Sequence, residues 1–386
     1  MVFLSHGQNQ FIVYSIFMPQ DKYKIYPTTH EAWDAMYRAI SRANKSVYWE
    51  MYIFVDDEAG SRFFDILEKK ASDGVDVKVI VDYLGSFGLS RKRAHSLKEK
   101  GVDLQFFHER KHRYRGIWTR FAARTHRKLL IVDEHIGFIG GVNVQKSMKD
   151  WLDIHVKIEG DAVRSMLRAF AKMYMICGGA KEHVKYLLKY KFRVAKGIDD
   201  LEFIYDDSSQ TQSKTRKVYT EALLKARERV ILFSPYYLPD KKFIEALWQA
   251  QKRGIKVDLL IPFRTDLRLA TYAAYTYFSL MKKNGVKVHL MRSMMHGKGI
   301  IVDDEWAMVG STNLEEGSMY ENYEANVKFR HKPTVQKIKS TLEEWIGKAV
   351  RLDDLNWEDR GKMHRVKEWL ALKLYRFWQS GRRPDR

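Results

Sequence analysis

THRKLLIVDEHIGFIGGVN, residues 125–143, places a histidine, a lysine and an aspartate along an apolar run that closes on two glycines and an asparagine. The stretch returns at 295–313 as MHGKGIIVDDEWAMVGSTN. His296, Lys298, Asp303, Gly310 and Asn313 repeat the spacing of His126, Lys128, Asp133, Gly140 and Asn143, with the same interval along the chain between the members of every pair. A repeat without an internal gap marks a duplicated unit.

The flanking sequence extends the duplication. Residues 28–44 predict a helix, with Thr28 and Glu31 as a capping box and Trp33, Met36, Ile40 and Ala43 at helical spacing. SVYWEMYIF, VDVKVIVDY and VDLQFF read as strands, separated by helices that close at Gly74 and Gly101. The second half repeats the order, with helices over 216–229, 240–253 and 268–284 and strands in RVILFSPYYLP, IKVDLLIP and VKVHLM. Gly254 corresponds to Gly74 and Gly285 to Gly101. The interval between these glycines is longer than that between the two motifs, which places an extra segment within HERKHRYRGIWTRFAART of the first half. Alternating strands and helices predict a tandem α/β fold. Its divisions are an N-terminal lobe over 1–195, a connecting segment over 196–215 that includes a polar Ser/Gln/Thr run, a C-terminal lobe over 216–350 and a basic amphipathic helical tail over 351–386. Fused copies pack about a pseudo-two-fold axis in this reading, and each motif supplies half of one site between them.

At 386 residues the chain is long enough for two cores, and its 45% hydrophobic and 30% charged residues describe a soluble globular protein. No apolar run approaches the ~18 to 20 residues of a membrane span. FIVYSIFM at 11–18 reads as a buried strand, and with neither a basic region before it nor a cleavage site it predicts no signal peptide. The single Cys177 excludes an intrachain disulfide and a cysteine-rich metal site, so a cytoplasmic setting is expected. A net charge of +20 points to an anionic partner, which nucleic acid and anionic lipid both fit.

Two histidines facing each other across a phosphodiester divide the work of transfer: one attacks phosphorus, while the other protonates the departing oxygen and then activates the incoming hydroxyl. Lys128 and Lys298 supply positive charge for the non-bridging oxygens, and Asn143 and Asn313 supply phosphate-binding hydrogen bonds. The scheme requires no metal and no cofactor. A nucleophilic histidine also needs its other ring nitrogen held by an acceptor. Asp153 follows His126 at almost the spacing by which Glu324 follows His296, and these two are the candidate histidine-orienting carboxylates. Asp133 and Asp303 end strand-like runs and are expected to brace the turn.

HRKLLIVD with GGVN and HGKGIIVD with GSTN closely resemble the duplicated H-x-K-x4-D and G-[GS]-x-N signature of the phospholipase D superfamily. EMYIFVDDEAGSRFFDILEKKASDGVDVKVIVDYLGS, WLDIHVKIEG, SPYYLPD and GSTNLEEGSMYENYEANV look most like bacterial cardiolipin synthases, and the likeness covers roughly residues 28–345. The resemblance implies two phospholipase D-like units, each a β-sheet flanked by helices. It groups His126, Lys128, Asp133, His296, Lys298 and Asp303 as the catalytic set. It further implies phosphatidyl transfer through a phosphohistidine: one phosphatidylglycerol gives its phosphatidyl group, glycerol leaves, and a second lipid's hydroxyl takes it, with His126 as nucleophile and His296 as acid then base. Many relatives carry two N-terminal membrane spans, and this chain resembles the span-free type. Met295 stands where many second motifs have another histidine, and the first-half acid is Asp153 where Glu is usual.

Without a span the protein needs a grip on lipid, peripheral on the inner face of the cell membrane. HRVKEWLALKLYRFWQSGRR, 364–383, sets Val366, Trp369, Leu370, Leu374 and Phe377 at helical spacing among basic residues, with Trp378 beside them. The pattern suits an interfacial helix and equally a helix packed on the protein body. RKHRYRGIWTRFAARTHRK, with Trp118 and Phe121, is a second membrane candidate. The same twin motif also serves nucleases, for which nucleic acid would be the partner, and phospholipid hydrolases with water as acceptor. A complete pair of motifs on one chain requires no oligomer.

Overall fold

A computed structural model describes residues 22–108, 123–189, 200–207 and 213–380. The expected strand at 11–18 and the basic segment with Trp118 and Phe121 lie outside the described residues. In the first lobe the strands are β1 (Tyr23–Thr28), β2 (Ser46–Met51), β3 (Asp76–Asp82), β4 (Asp103–Phe107), β5 (Leu129–Val132), β6 (Ile136–Gly140) and β7 (Leu152–Glu159). They form one sheet in the order β1-β7-β6-β5-β2-β3-β4. The second lobe has β8 (Leu201–Asp206), β9 (Arg229–Phe233), β10 (Tyr237–Leu238), β11 (Lys256–Pro262), β12 (Lys287–Met291), β13 (Gly299–Val302), β14 (Trp306–Gly310), β15 (Leu314–Glu315), β16 (Glu324–Phe329) and β17 (Val350–Arg351). Its sheet runs β17-β12-β11-β9-β13-β14-β16-β8, while β10 and β15 pair separately. Leaving aside β17, the two sheets share one order, as a duplicated α/β unit requires.

Local chemistry sets these elements. Thr28 caps the helix Thr29–Ser41 by accepting from Glu31 N, and Asp57 caps Glu58–Ser72 through Ala59 N and Gly60 N. Gly74 and Gly254 end equivalent helices at φ 87° and 81°, a conformation that costs a residue with a Cβ more than glycine. The motif strands β5 and β13 are buried along their whole length, LLIV and GIIV, because both faces of their sheets are covered.

The division of the chain needs two corrections. Residues 201–206 of the expected connection form β8, which pairs antiparallel with β16 and belongs to the second sheet. The expected tail begins too early: β17 extends the sheet from β12, and Leu352 and Trp357 are buried in the second lobe's core. β1 went unread because Pro27 interrupts its pattern. Among the described residues the strand is an edge, paired with β7 and with its register shifted between Tyr26 and Thr28, where a missing N–H is tolerated.

Each lobe has an outer apolar cluster, and a third draws Leu129, Ile139, Ile154 and Val156 of the first sheet together with Phe233, Ile301, Val309 and Val327 of the second. The lobes therefore share a core. Arg127, itself buried, pins them by donating to the carbonyls of Glu324 and Asp206 and to the Asp207 carboxylate.

Candidate active site

The segments just before β5 and β13 carry the histidines, and each is bonded to the opposite lobe. His126 N donates to Tyr323 O at 2.9 Å and Tyr323 N to Arg124 O at 2.9 Å. His296 N donates to Leu152 O at 2.7 Å and Leu152 N to Met294 O at 3.0 Å. Each histidine is thus tied to the residue that precedes a carboxylate of the other lobe.

The side chains cross in the same way. His126 Nδ1 lies 3.0 Å and 3.2 Å from the two Glu324 oxygens, and His296 Nδ1 lies 3.2 Å from Asp153 Oδ2. Spacing along the chain had matched Asp153 with His126 and Glu324 with His296; the structure exchanges the partners. Both carboxylates are fully buried. Burial alone would raise them, yet hydrogen bonds and charges from the histidines and nearby lysines hold both below the ordinary carboxylate range. An ionised carboxylate only accepts, so each histidine donates from Nδ1 and presents the Nε2 lone pair.

The two half-sites differ in their lysines. Lys128 Nζ donates to His126 O at 2.6 Å and sits 5.1 Å from the Tyr52 ring centroid. Lys298 Nζ lies against the other imidazole, 2.8 Å from Nδ1 and 3.0 Å from Nε2 of His296. Near-equal distances to the two ring nitrogens place that ammonium over the face of the ring, and it donates to His296 O as Lys128 does to His126 O. Burial and then the Lys298 charge push His296 down to about 4. His126 is lowered as well, chiefly by burial, although Glu324 pulls it back up. Burial brings Lys298 down to about 8, and burial with the Lys298 charge holds Lys128 well below the usual ammonium value. Two buried lysines that repel each other are stabilised by an anion, which is what a phosphodiester supplies.

The G-[GS] of each motif also has a physical reason. A Cβ on Gly141 would stand 2.6 Å from both Asp153 carboxylate oxygens and 2.8 Å from His296 O, so only glycine lets the opposite lobe approach. Its N–H donates to Asp153 Oδ1 at 3.2 Å. At the equivalent position Ser311 donates its hydroxyl to Glu324. Asn143 Oδ1 accepts from Ile53 N at 3.2 Å, while Asn313 Nδ2 donates to Glu315 Oε1 at 3.4 Å.

Asp133 and Asp303 do not belong with these groups. They sit beyond the far ends of β5 and β13, where each carboxylate accepts from three backbone N–H groups: Asn44, Lys45 and Ser46 for Asp133, and Arg227, Glu228 and Arg229 for Asp303. Their place in the catalytic set is therefore corrected, and bracing the turn is what their hydrogen bonds show. Among the described residues no group of three or more His, Cys, Asp or Glu side chains is arranged to hold a metal ion.

The family model described as "Cardiolipin synthase, PLD-like domain" matches residues 36–174 and 219–346, one segment for each lobe. The chain belongs to this cardiolipin synthase PLD-like family. Probable cardiolipin synthase YwiE of Bacillus subtilis is 27% identical over 95% of this chain and 76% of its own length. Cardiolipin synthase of Geobacillus thermodenitrificans is 28% identical over 89% and 70%. In fold the chain is similar to phosphatidylserine synthase of Haemophilus influenzae, with a TM-score of 0.71 at 13% identity over 92% of this chain and 93% of that one.

Several residues of this family member's site were not singled out from sequence. Tyr52 packs edge-on to His126 at 4.9 Å between ring centroids, and Trp151 lies 5.3 Å from His296. Thr125, beside the nucleophile candidate, donates to the buried Glu50, and Arg124 is clasped by Asp82. Burial raises Glu50 above the ordinary carboxyl value. A charged residue inside an otherwise apolar strand, Glu50 in SVYWEM, was the available signal.

Proposed function

We propose that the chain makes cardiolipin from two phosphatidylglycerol molecules, working at the surface of an anionic membrane and peripheral to its inner face. The observation that carries this reading is the crossed arrangement of two histidine–carboxylate couples, each with a buried lysine alongside, in a chain of the cardiolipin synthase family. Nε2 of His126 attacks phosphorus and the P–O bond to the leaving glycerol breaks. Protonated His296 gives that oxygen its proton. His296 then takes the proton of the second lipid's hydroxyl, whose oxygen attacks phosphorus as the P–N bond breaks. Lys128, Lys298, Asn143 and Asn313 hold the non-bridging oxygens. Both lysines donate to the backbone carbonyl of their own histidine, and the Lys298 ammonium in addition lies against the His296 ring, where it opposes protonation of that histidine before substrate arrives. An arriving phosphodiester draws Lys298 off the ring and offsets the two positive charges, which raises His296 toward a pKa suited to an acid.

The test is mass spectrometry of lipids after incubation with phosphatidylglycerol vesicles in EDTA, with His126→Ala in parallel. Cardiolipin and glycerol from the wild type alone are expected. Phosphatidic acid alone would make the protein a hydrolase, and unchanged lipid with digested single-stranded DNA would make it a nuclease.

A further inference from the structure

The helix Lys362–Ser380 packs on the helix Arg268–Lys283 through one face only. Glu368, Ala371 and Tyr375 are buried there, and Glu368 is held by Arg360 at 2.9 Å. At 3.6 residues per turn, Met363, Val366, Leu370 and Leu374 fall on the opposite side, with Trp369 beside them. All five are exposed, from 47% at Leu370 to 71% at Met363. Large exposed hydrophobics elsewhere among the described residues are scattered through the fold, whereas this helix gathers them on one side. A contiguous apolar face of this kind marks an interaction surface.

The charges around the face identify the partner. Lys362, Arg365, Lys367, Lys373 and Arg376 are all exposed, while the one acidic side chain between Lys362 and Phe377 is the buried Glu368. An apolar face on a helix whose exposed charges are all cationic matches an anionic lipid leaflet, in which the chains take the apolar side chains and the headgroups take the cations. The position of the helix gives the surface a purpose. Tyr375 donates its hydroxyl to Glu315, the same side chain that accepts from Asn313 of the second motif. Arg376 adds a bond to Tyr277 at 3.2 Å. The buried face of the helix is thus bonded to the second motif, while its apolar face turns outward.

We infer that the exposed face of Lys362–Ser380 is the docking surface for an anionic lipid leaflet, and that the Tyr375–Glu315–Asn313 chain of hydrogen bonds ties the docked helix to the second motif. This rests on the proposed action on phospholipid, but its binding readout is independent of turnover. The experiment compares the full-length protein with the triple variant W369E/L370E/L374E, whose positions are exposed, and with R365Q/K367Q/K373Q. Co-sedimentation is measured with phosphatidylglycerol–phosphatidylcholine vesicles and with phosphatidylcholine alone, and turnover with phosphatidylglycerol in vesicles and in detergent micelles. Both variants are expected to lose at least tenfold in binding to anionic vesicles and in vesicle turnover, with micellar turnover unchanged. Vesicle binding within twofold of wild type in the W369E/L370E/L374E variant would overturn the inference. So would a wild-type dimer that this variant dissociates while its vesicle binding stays intact. Full vesicle binding by the wild type with no transfer in vesicles or in micelles would instead reject the proposed function and leave the docking surface standing.

Discussion

At the residue scale, the central feature is that each histidine takes its carboxylate from the other lobe. The sequence showed both acids at matching distances after both histidines, but chain distance cannot reveal a swap between two copies that pack face to face. The residue types were legible; their pairing required the backbone links through Tyr323 and Leu152. Replacing Glu324 with Gln keeps the shape but removes the charge that fixes the His126 tautomer, so turnover should fall on the order of a thousandfold with KM little changed. Steady-state kinetics check this, and a loss below tenfold would contradict it. Gly141→Ala tests the close approach of the lobes. Its methyl meets the Asp153 carboxylate, and a displacement of about 1 Å at the reacting groups lowers turnover roughly a hundredfold. A variant with wild-type turnover would show that Asp153 can yield without cost.

At the scale of elements, the turns that follow β5 and β13 carry the motif aspartates at φ 51° with Glu134 and Asp304 at 58° and 56°. Left-handed backbone is costly for residues other than glycine, and the three N–H donors gathered by each carboxylate hold it there. Asp303→Ala should therefore lower stability by about 2 kcal/mol, read from urea midpoints, while the folded fraction keeps the wild-type turnover per active site. Lost turnover with unchanged stability would return the aspartate to the catalytic set. The helix boundaries were largely legible because caps and glycines are local signals: the expected helices at 240–253 and 268–284 are found at Lys241–Lys252 and Arg268–Lys283. β8 was illegible for the opposite reason. Its apolar residues Leu201, Phe203, Ile204 and Tyr205 are short of a full element and lie between the acidic pairs at 199–200 and 206–207, just before the polar run at 208–215, and pairing with the distant β16 is what places them in a sheet.

At the scale of the whole molecule, a polar site within a shared core makes stability depend on pH. His296 and His155 are buried and held down to about 4, against an ordinary value of 6.5. Between about pH 6.5 and 4 the unfolded chain binds protons at these positions and the folded chain does not, so stability falls as pH falls through that window. The loss is on the order of 2 kcal/mol for each histidine between pH 7.5 and 5. Asp153 and Glu324, held below the ordinary carboxylate range, push in the same direction at lower pH. Denaturation midpoints that stay level from pH 7.5 to 5 would show that these histidines protonate within the fold.

The claim that joins all three scales is that two motifs make one site in which His126 attacks. Its most direct measurement is to mix the enzyme with phosphatidylglycerol labelled at phosphorus, quench rapidly in alkali, where phosphohistidine survives, and map the label to peptides. Label is expected on the peptide carrying His126, none on the peptide carrying His296, and none at all in His126→Ala. Label on His296, or none on either peptide while cardiolipin accumulates, would contradict it.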